Sequence, residues 1–408
     1  MNSRERVRLA FEHREPDRVP IDLGSMGPTG ISAHAYRNLC EYLGIECTCR
    51  LFDPVQQIAV PGERVLELLH VDVRAVVPKP AGWREERLDG DLVCLAPDSW
   101  RPVTLPDGSK IVYEGDHVLF RKPRGGLYFD HVHWPLQGAG IDDLDGFVWP
   151  APFSFYKMPD VRDLEIYLGG LDEEARRLRG ESDCALVGSF GGSIYEAATG
   201  LMGYENFLVN ILENRAFVEK LLDRLVSANL EYAKRYLDRI GRLVDVIMVG
   251  GEDIGTQCGL EIDPRLYREL VKPRQQTLWR FIKDHTDAFL VVHCCGSMAD
   301  IVEDLVEIGA DAINPVQVSA RGMDSAELKK RFGERILFWG GGCDTQRVLP
   351  LGTPEEVRTE VRKRMRDLAP GGGFVFNQVH TIQADVQPEN IVALFEEAYR
   401  YGVYPIGG

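Results

Sequence analysis

Residues 289–296 read FLVVHCCG. Four apolar residues run without interruption into a histidine, two cysteines and a glycine. A short, unbroken apolar run is the mark of a parallel strand covered on both faces, because neither face meets water. The polar end then sets an imidazole and two thiols where the strand stops. They could be core filler, a redox pair, or part of a metal site that draws its other ligands from elsewhere.

Outward from this stretch the pattern repeats. Strand candidates are Val19–Leu23, Val71–Val77, Ala185–Gly188, Asp245–Val249, Phe289–His293, Ala312–Asn314, Ile336–Gly340 and Gly373–Asn377. Between them lie helical patterns. Residues 206–241 place Phe207, Ile211, Phe217, Leu221, Leu225 and Leu237 largely on one stripe. In PEEVRTEVRKRMRDLAPGG, Thr353 stands as cap before Pro354, and glycines follow the end. Eight strands alternating with helices predict a (β/α)8 TIM barrel, with residues 1–408 as a single domain. Residues 82–150 break the pattern. They alternate polar and apolar residues and carry DG dipeptides, which predicts a β-hairpin excursion after strand two.

Composition narrows the function. The chain has 408 residues, 44% hydrophobic and 27% charged, with net charge −16. No basic block or zinc-finger spacing accompanies that charge, so nucleic acid is not an expected partner. No apolar run reaches the roughly 18 residues of a membrane span. The charged start, MNSRERVRLAFEHREPDRVP, is unlike a secretory signal, and nine cysteines, an odd number, fit a reducing cytoplasm. A cytoplasmic location is therefore expected, with oligomerisation left open.

In a barrel, chemistry gathers at the C-terminal strand ends. The predicted ends carry Asp22 and Ser25, SFGGSIYEA, GGEDIGTQCG, HCCG, Asn314, GGGCDTQ and NQVHTI. His293 and Cys295 form H-x-C, and Cys343 lies two strands on, about 10 Å away at the strand ends. An imidazole and two thiolates converging there could hold Zn2+ at about 2.0–2.3 Å and leave a fourth position open. Equally, free cysteines are among the most buried residues, and a strand-end histidine is often only hydrogen-bonded. Cys294 should point away by alternation and serve packing. Glu252 and Asp253 are candidates for a fourth ligand or general base, with an N-cap role for the following turn as the alternative. Ser189, Asn314, Asn377 and His380 are candidate substrate-lining residues. Cys47 and Cys49 form C-x-C with no second pair nearby, which reads as an exposed loop.

Three segments, VVHCCGSMADIVEDLVEIGADAINPVQVSARGMD, FWGGGCDTQRVLPLGTPEEV and HTIQADVQPENIVALFEEAYRYG, resemble the uroporphyrinogen decarboxylase superfamily. The similarity covers most of the chain and is best from about residue 245 onward. It implies the barrel. One branch of that superfamily decarboxylates porphyrinogens without metal through an N-terminal arginine-rich motif, which the stretch IDLGSMGPTGISAHAY does not show. The other comprises zinc methyltransferases that work with cobamides, marked by H-x-C and a distant Cys, a pattern that His293, Cys295 and Cys343 match. The resemblance thus implies a zinc-dependent methyltransferase moving methyl groups between a corrinoid and a thiol or other small molecule. The chain has no D-x-H-x-x-G motif, so the corrinoid would ride on a separate partner protein. A metal-free decarboxylase or lyase, using cations such as Arg321, and a non-catalytic binding barrel are the alternatives.

Overall fold

The structure, a computed structural model, describes residues 1–88, 90–150, 164–250 and 252–407. After the helix Ser3–Phe11 come β1 (Ile31–Ser32), β2 (Arg50–Asp53), β3 (Ile58–Val60) and β4 (Val73–Val76). Next are β5 (Trp83–Arg87), β6 (Val93–Pro97), β7 (Val103–Thr104), β8 (Lys110–Glu114), β9 (His117–Lys122) and β10 (Asp130–His131). Then β11 (Ala185–Gly192), β12 (Val246–Gly250), β13 (Phe289–His293), β14 (Ala312–Asn314), β15 (Leu337–Trp339) and β16 (Phe374–Val375) alternate with helices.

β4 and β11–β16 form one seven-stranded sheet, parallel at every pairing, in the order β16-β15-β14-β13-β12-β11-β4. Apolar residues on both strand faces are buried, as the unbroken runs require, and β14, β15 and β16 are buried throughout. This is a mixed α/β fold of TIM-barrel type.

The segment expected as the first strand forms no ladder of its own. Ile21 makes a single parallel bridge to Phe376, and its carbonyl accepts the Asp72 N–H at 2.8 Å, so the segment reaches both edges of the sheet. Pro20 explains the gap, because it has no N–H to donate and can only accept, here from Phe376 at 2.8 Å. The Ile21 N–H goes instead to the Asp72 carboxylate at 2.8 Å.

Residues 82–150 hold β5 to β10 and a 3-10 helix, Ile141–Asp145. The strands are not a unit of their own. β5 and β6 join β1, β2 and β3 in a five-stranded sheet, while β7 to β10 form a separate antiparallel sheet. The cysteines also differ from expectation. Cys47 is bonded to Cys40 in a disulfide, and Cys49, buried rather than exposed, lies with its sulfur 2.8 Å from that of Cys94.

The long periodic stretch divides at Asn214 into the helices Tyr204–Glu213 and Arg215–Ile240, because Asn214 leaves helical dihedrals. Thr353 caps its helix by accepting from Glu356 N–H at 3.3 Å, and the Glu356 carboxylate takes the Thr353 N–H at 2.7 Å. Among the described residues, no helix is long and apolar enough to cross a membrane.

Candidate metal centre

The parallel register between β13 and β14 sets His293 beside Asn314. Asn314 is fully buried, and its amide N–H donates to the Trp339 carbonyl at 3.0 Å. A carbonyl can only accept, so the amide oxygen is the atom that faces His293 Nδ1 at 2.8 Å. Nδ1 must therefore carry the hydrogen. Nε2 points toward Cys295 Sγ at 3.5 Å and Asp253 Oδ1 at 3.7 Å, and in the neutral ring it is the nitrogen that holds the lone pair. Across the sheet, Gly250 leaves room for the imidazole, since a Cβ there would sit 2.8 Å from His293 Cβ.

Cys295 is fixed through its backbone, whose N–H donates to Asp253 Oδ1 at 2.6 Å. Gly296 follows with φ +84°, in the left-handed region, and its N–H donates to the Gln317 side chain at 2.8 Å. His380 reaches the same point from the turn after β16, its ring 5.6 Å from that of His293. Burial, with His293 beside it, pulls His380 down to about 4, so its imidazole is neutral at pH 7 and offers a lone pair. The ligand atoms of His293, Cys295 and His380 all lie within 4.8 Å of one another. The donors fit a metal ion: two imidazole nitrogens and a sulfur suit Zn2+.

Thus the structure groups His293 and Cys295 with His380, and Cys343 is not in that group, although its carbonyl accepts the N–H of Val379, the residue before His380, at 3.0 Å. Cys343 is fully buried with Sγ 3.9 Å from its neighbour's carbonyl at Asp344, and the charges bearing on it are Glu360, Asp344 and Arg364. Glu360 and Arg364 belong to the outer helix Pro354–Leu368. The turn through Gly340 (φ +91°) and Gly341 (φ +85°) presents Gly342 to the Phe376 ring.

The paired acids have separate roles. Glu252 accepts the N–H of Ile194 at 2.8 Å and of Tyr195 at 2.9 Å, so both oxygens cap the helix Tyr195–Met202. Burial pushes it up to about 7. Asp253 alone of the pair faces the cluster. Asn377 is fully buried and donates to the Asp22 carbonyl at 3.0 Å and to Gln378 at 2.9 Å, tying the segment after β16 to the first segment. Ser189 is half-buried, opposite Met248 in the register of β11 and β12. Cys294 is buried, in keeping with packing. Arg321 is exposed on the loop after β14.

A further acid stands near Asp253. Glu196, in the first turn of the capped helix, has Asp253 and Glu252 as its strongest charge neighbours and bears in turn on Cys295. It resembles any helix-start acid in the sequence, and only the fold brings the Asp253 and Glu252 charges to bear on it.

Residues 151–401 match the uroporphyrinogen decarboxylase (URO-D) family. A uroporphyrinogen decarboxylase of Neisseria meningitidis serogroup C is 31% identical over 333 residues, covering 79% of this chain and 82% of that protein. Another, from Nostoc punctiforme, is 24% identical over 68% of this chain and 78% of its own length. Among solved structures, a methyltransferase from Methanosarcina mazei superposes with a TM-score of 0.61 at 16% identity, covering 98% of this chain and 99% of that one. The match over most of the chain, with a barrel-type sheet carrying its polar residues at the C-terminal strand ends, shows that the chain belongs to the uroporphyrinogen decarboxylase family.

Proposed function

We propose that the chain is a zinc-dependent methyltransferase, moving a methyl group between a corrinoid carried by a partner protein and a thiol or other small methyl donor or acceptor. The observation that carries this reading is the His293–Cys295–His380 group at the strand ends. Three protein donors leave a coordination position for substrate. When bound, the ion would hold a substrate thiol as thiolate near neutral pH, or polarise the heteroatom of a methyl donor.

The chain's own residues do the positioning. Asn314 holds the His293 tautomer and ring plane, and Asp253 anchors the Cys295 backbone while standing near His293 Nε2. The acids bearing on Cys295 are Asp253 and Glu196. Such surroundings oppose a polycarboxylate substrate, which is the argument against metal-free decarboxylation despite the names of the curated relatives. That second reading calls for buried cations, and Arg321 is exposed at the rim. The solved structure that shares the fold is described as a methyltransferase, in keeping with the first.

The test is zinc-loaded protein with methylcob(III)alamin and a panel of small thiols, followed by the absorbance of the corrinoid. Demethylation that stops on chelation and in Cys295→Ala supports the reading. Decarboxylation of a carboxylated porphyrinogen that survives chelation contradicts it.

A further inference from the structure

The five-stranded sheet gathers sulfur atoms that the metal centre does not use. Cys49 stands just before β2, and Cys94 lies within β6. These strands run parallel, with Arg50 paired to Leu95, and the Leu95 N–H donates to the Cys49 carbonyl at 2.7 Å. The two cysteines therefore occupy matching positions on neighbouring strands. Such strands stand about 4.7–4.9 Å apart, inside the roughly 4.4–6.8 Å between Cα atoms that a disulfide spans. The side chains meet as well as the backbones. The Cys94 thiol donates to Cys49 Sγ at 2.8 Å, and both residues are buried.

A second pair adjoins the first. Cys47 is bonded to Cys40, and it precedes Cys49 by two residues. Exposure alternates along this stretch: Glu46, Thr48 and Arg50 are exposed, Cys47 is half-buried, and Cys49 and Leu51 are buried. That alternation puts Cys47 and Cys49 on one side of the chain. Of the four cysteines, Cys47 alone is not buried, so it is the sulfur that solvent reaches. The hydrogen bond with Cys94, together with burial, pushes the Cys49 thiol well above its ordinary range and keeps it protonated at rest. A protonated, buried thiol needs a disulfide close at hand, and the Cys40–Cys47 bond is one.

We propose that Cys49 and Cys94 are a redox-active dithiol that closes to a disulfide, with the Cys40–Cys47 bond as its immediate oxidant. The Cys49 sulfur gives up its proton and attacks Cys47 Sγ, the bond from Cys47 to Cys40 breaks, and Cys40 leaves as a thiolate that takes up a proton. Cys94 then attacks Cys49 in the same way and releases Cys47. One disulfide replaces another, so no electrons are gained or lost. A low-molecular-weight disulfide such as oxidised glutathione restores the Cys40–Cys47 bond through Cys47 by two further exchanges, releasing two small thiols. The closed form joins β2 to β6 covalently, across a separation of 45 residues. It draws on none of His293, Cys295 and His380, and it stands or falls independently of the metal-dependent reading.

The experiment uses the full chain, equilibrated in buffers of reduced and oxidised glutathione, quenched by alkylation and mapped by mass spectrometry. As oxidised glutathione comes to dominate, two thiols should be lost from the seven that the Cys40–Cys47 bond leaves free. Fragmentation should place the new bond between Cys49 and Cys94, and reduced glutathione should reopen it. In Cys47→Ser the same bond should form about tenfold more slowly or worse, because the adjacent oxidant is gone. Seven thiols at every ratio, or Cys94 recovered only as free thiol or as a mixed disulfide with glutathione, would overturn the proposal. An unchanged rate in Cys47→Ser would overturn the route through Cys47. The mapping is made on the unaltered chain, so it does not depend on how the variant folds.

Discussion

Two buried carboxylates at opposite ends of the sheet show what separates the stable part of this molecule from the reactive part. Asp72, just before β4, is fully buried and surrounded by donors: Ser3 Oγ at 2.7 Å, Arg6 at 2.6 Å, Arg18 at 2.7 Å and the Ile21 N–H at 2.8 Å. It ties the N-terminal helix and the first segment to the sheet. Glu196, beyond the C-terminal end of β11, has acids for neighbours and one oxygen with no partner. One end of the fold closes its electrostatics within the chain, and the other leaves them open for something to arrive. That division matches the general habit of such barrels, stability at one face and chemistry at the other.

The largest effect should come from disturbing the closed end. Asp72→Ala takes the carboxylate partner from the mostly buried Arg18 guanidinium and leaves Arg6 with Asp17 alone. It should lower stability by about 3–5 kcal/mol in urea titrations, and metal affinity measured on the remaining folded protein should stay close to wild type. A loss of metal affinity at full stability would blur the contrast.

Asn314→Ala acts at the open end and should do the reverse in kind. Without the amide oxygen, His293 Nδ1 loses the acceptor that fixes its tautomer. Zinc affinity should fall by about 10–100-fold, read by chelator competition. Affinity within twofold of wild type would mean that the ring is held by packing alone.

These two residues also show how far the sequence could be read. The parallel strands were legible because residues buried on both faces must be apolar, and FLVVH could hardly be anything else. The first strand was legible as a segment but not as a bridge, because the missing Pro20 donor matters only once its neighbours are known. His293 and Cys295 were legible from H-x-C at a strand end. His380 was visible as a mouth residue, but its nearness to them depends on how the last turn folds back. Cys343 was legible as a thiol after a strand end, but where its Sγ points depends on a glycine-rich turn whose dihedrals the sequence does not fix. The capping role of Glu252 and the orphaned oxygen of Glu196 are tertiary facts with no local signature.

A smaller, pH-dependent effect sharpens the comparison from within the sheet. Asp22 is fully buried and accepts from Trp339 Nε1 at 2.9 Å and Ser25 Oγ at 2.9 Å, yet burial still raises it from 3.8 to about 6. Between about pH 4 and 6 the folded chain keeps a proton that the unfolded chain has released, so this group's contribution falls as pH rises across that window and is level above it. The full change is roughly 3 kcal/mol. The stability difference between Asp22→Asn and wild type should therefore move in favour of the variant from pH 4 to pH 6, in paired denaturant titrations. A difference that is flat across that window would show that Asp22 titrates normally.

The most direct test of the central claim is the zinc content of the purified full chain compared with that of His380→Ala and Cys343→Ala. About one zinc per chain is expected in the wild type, retained in Cys343→Ala and lost in His380→Ala. A wild type without stoichiometric metal, or loss in Cys343→Ala with retention in His380→Ala, would contradict it.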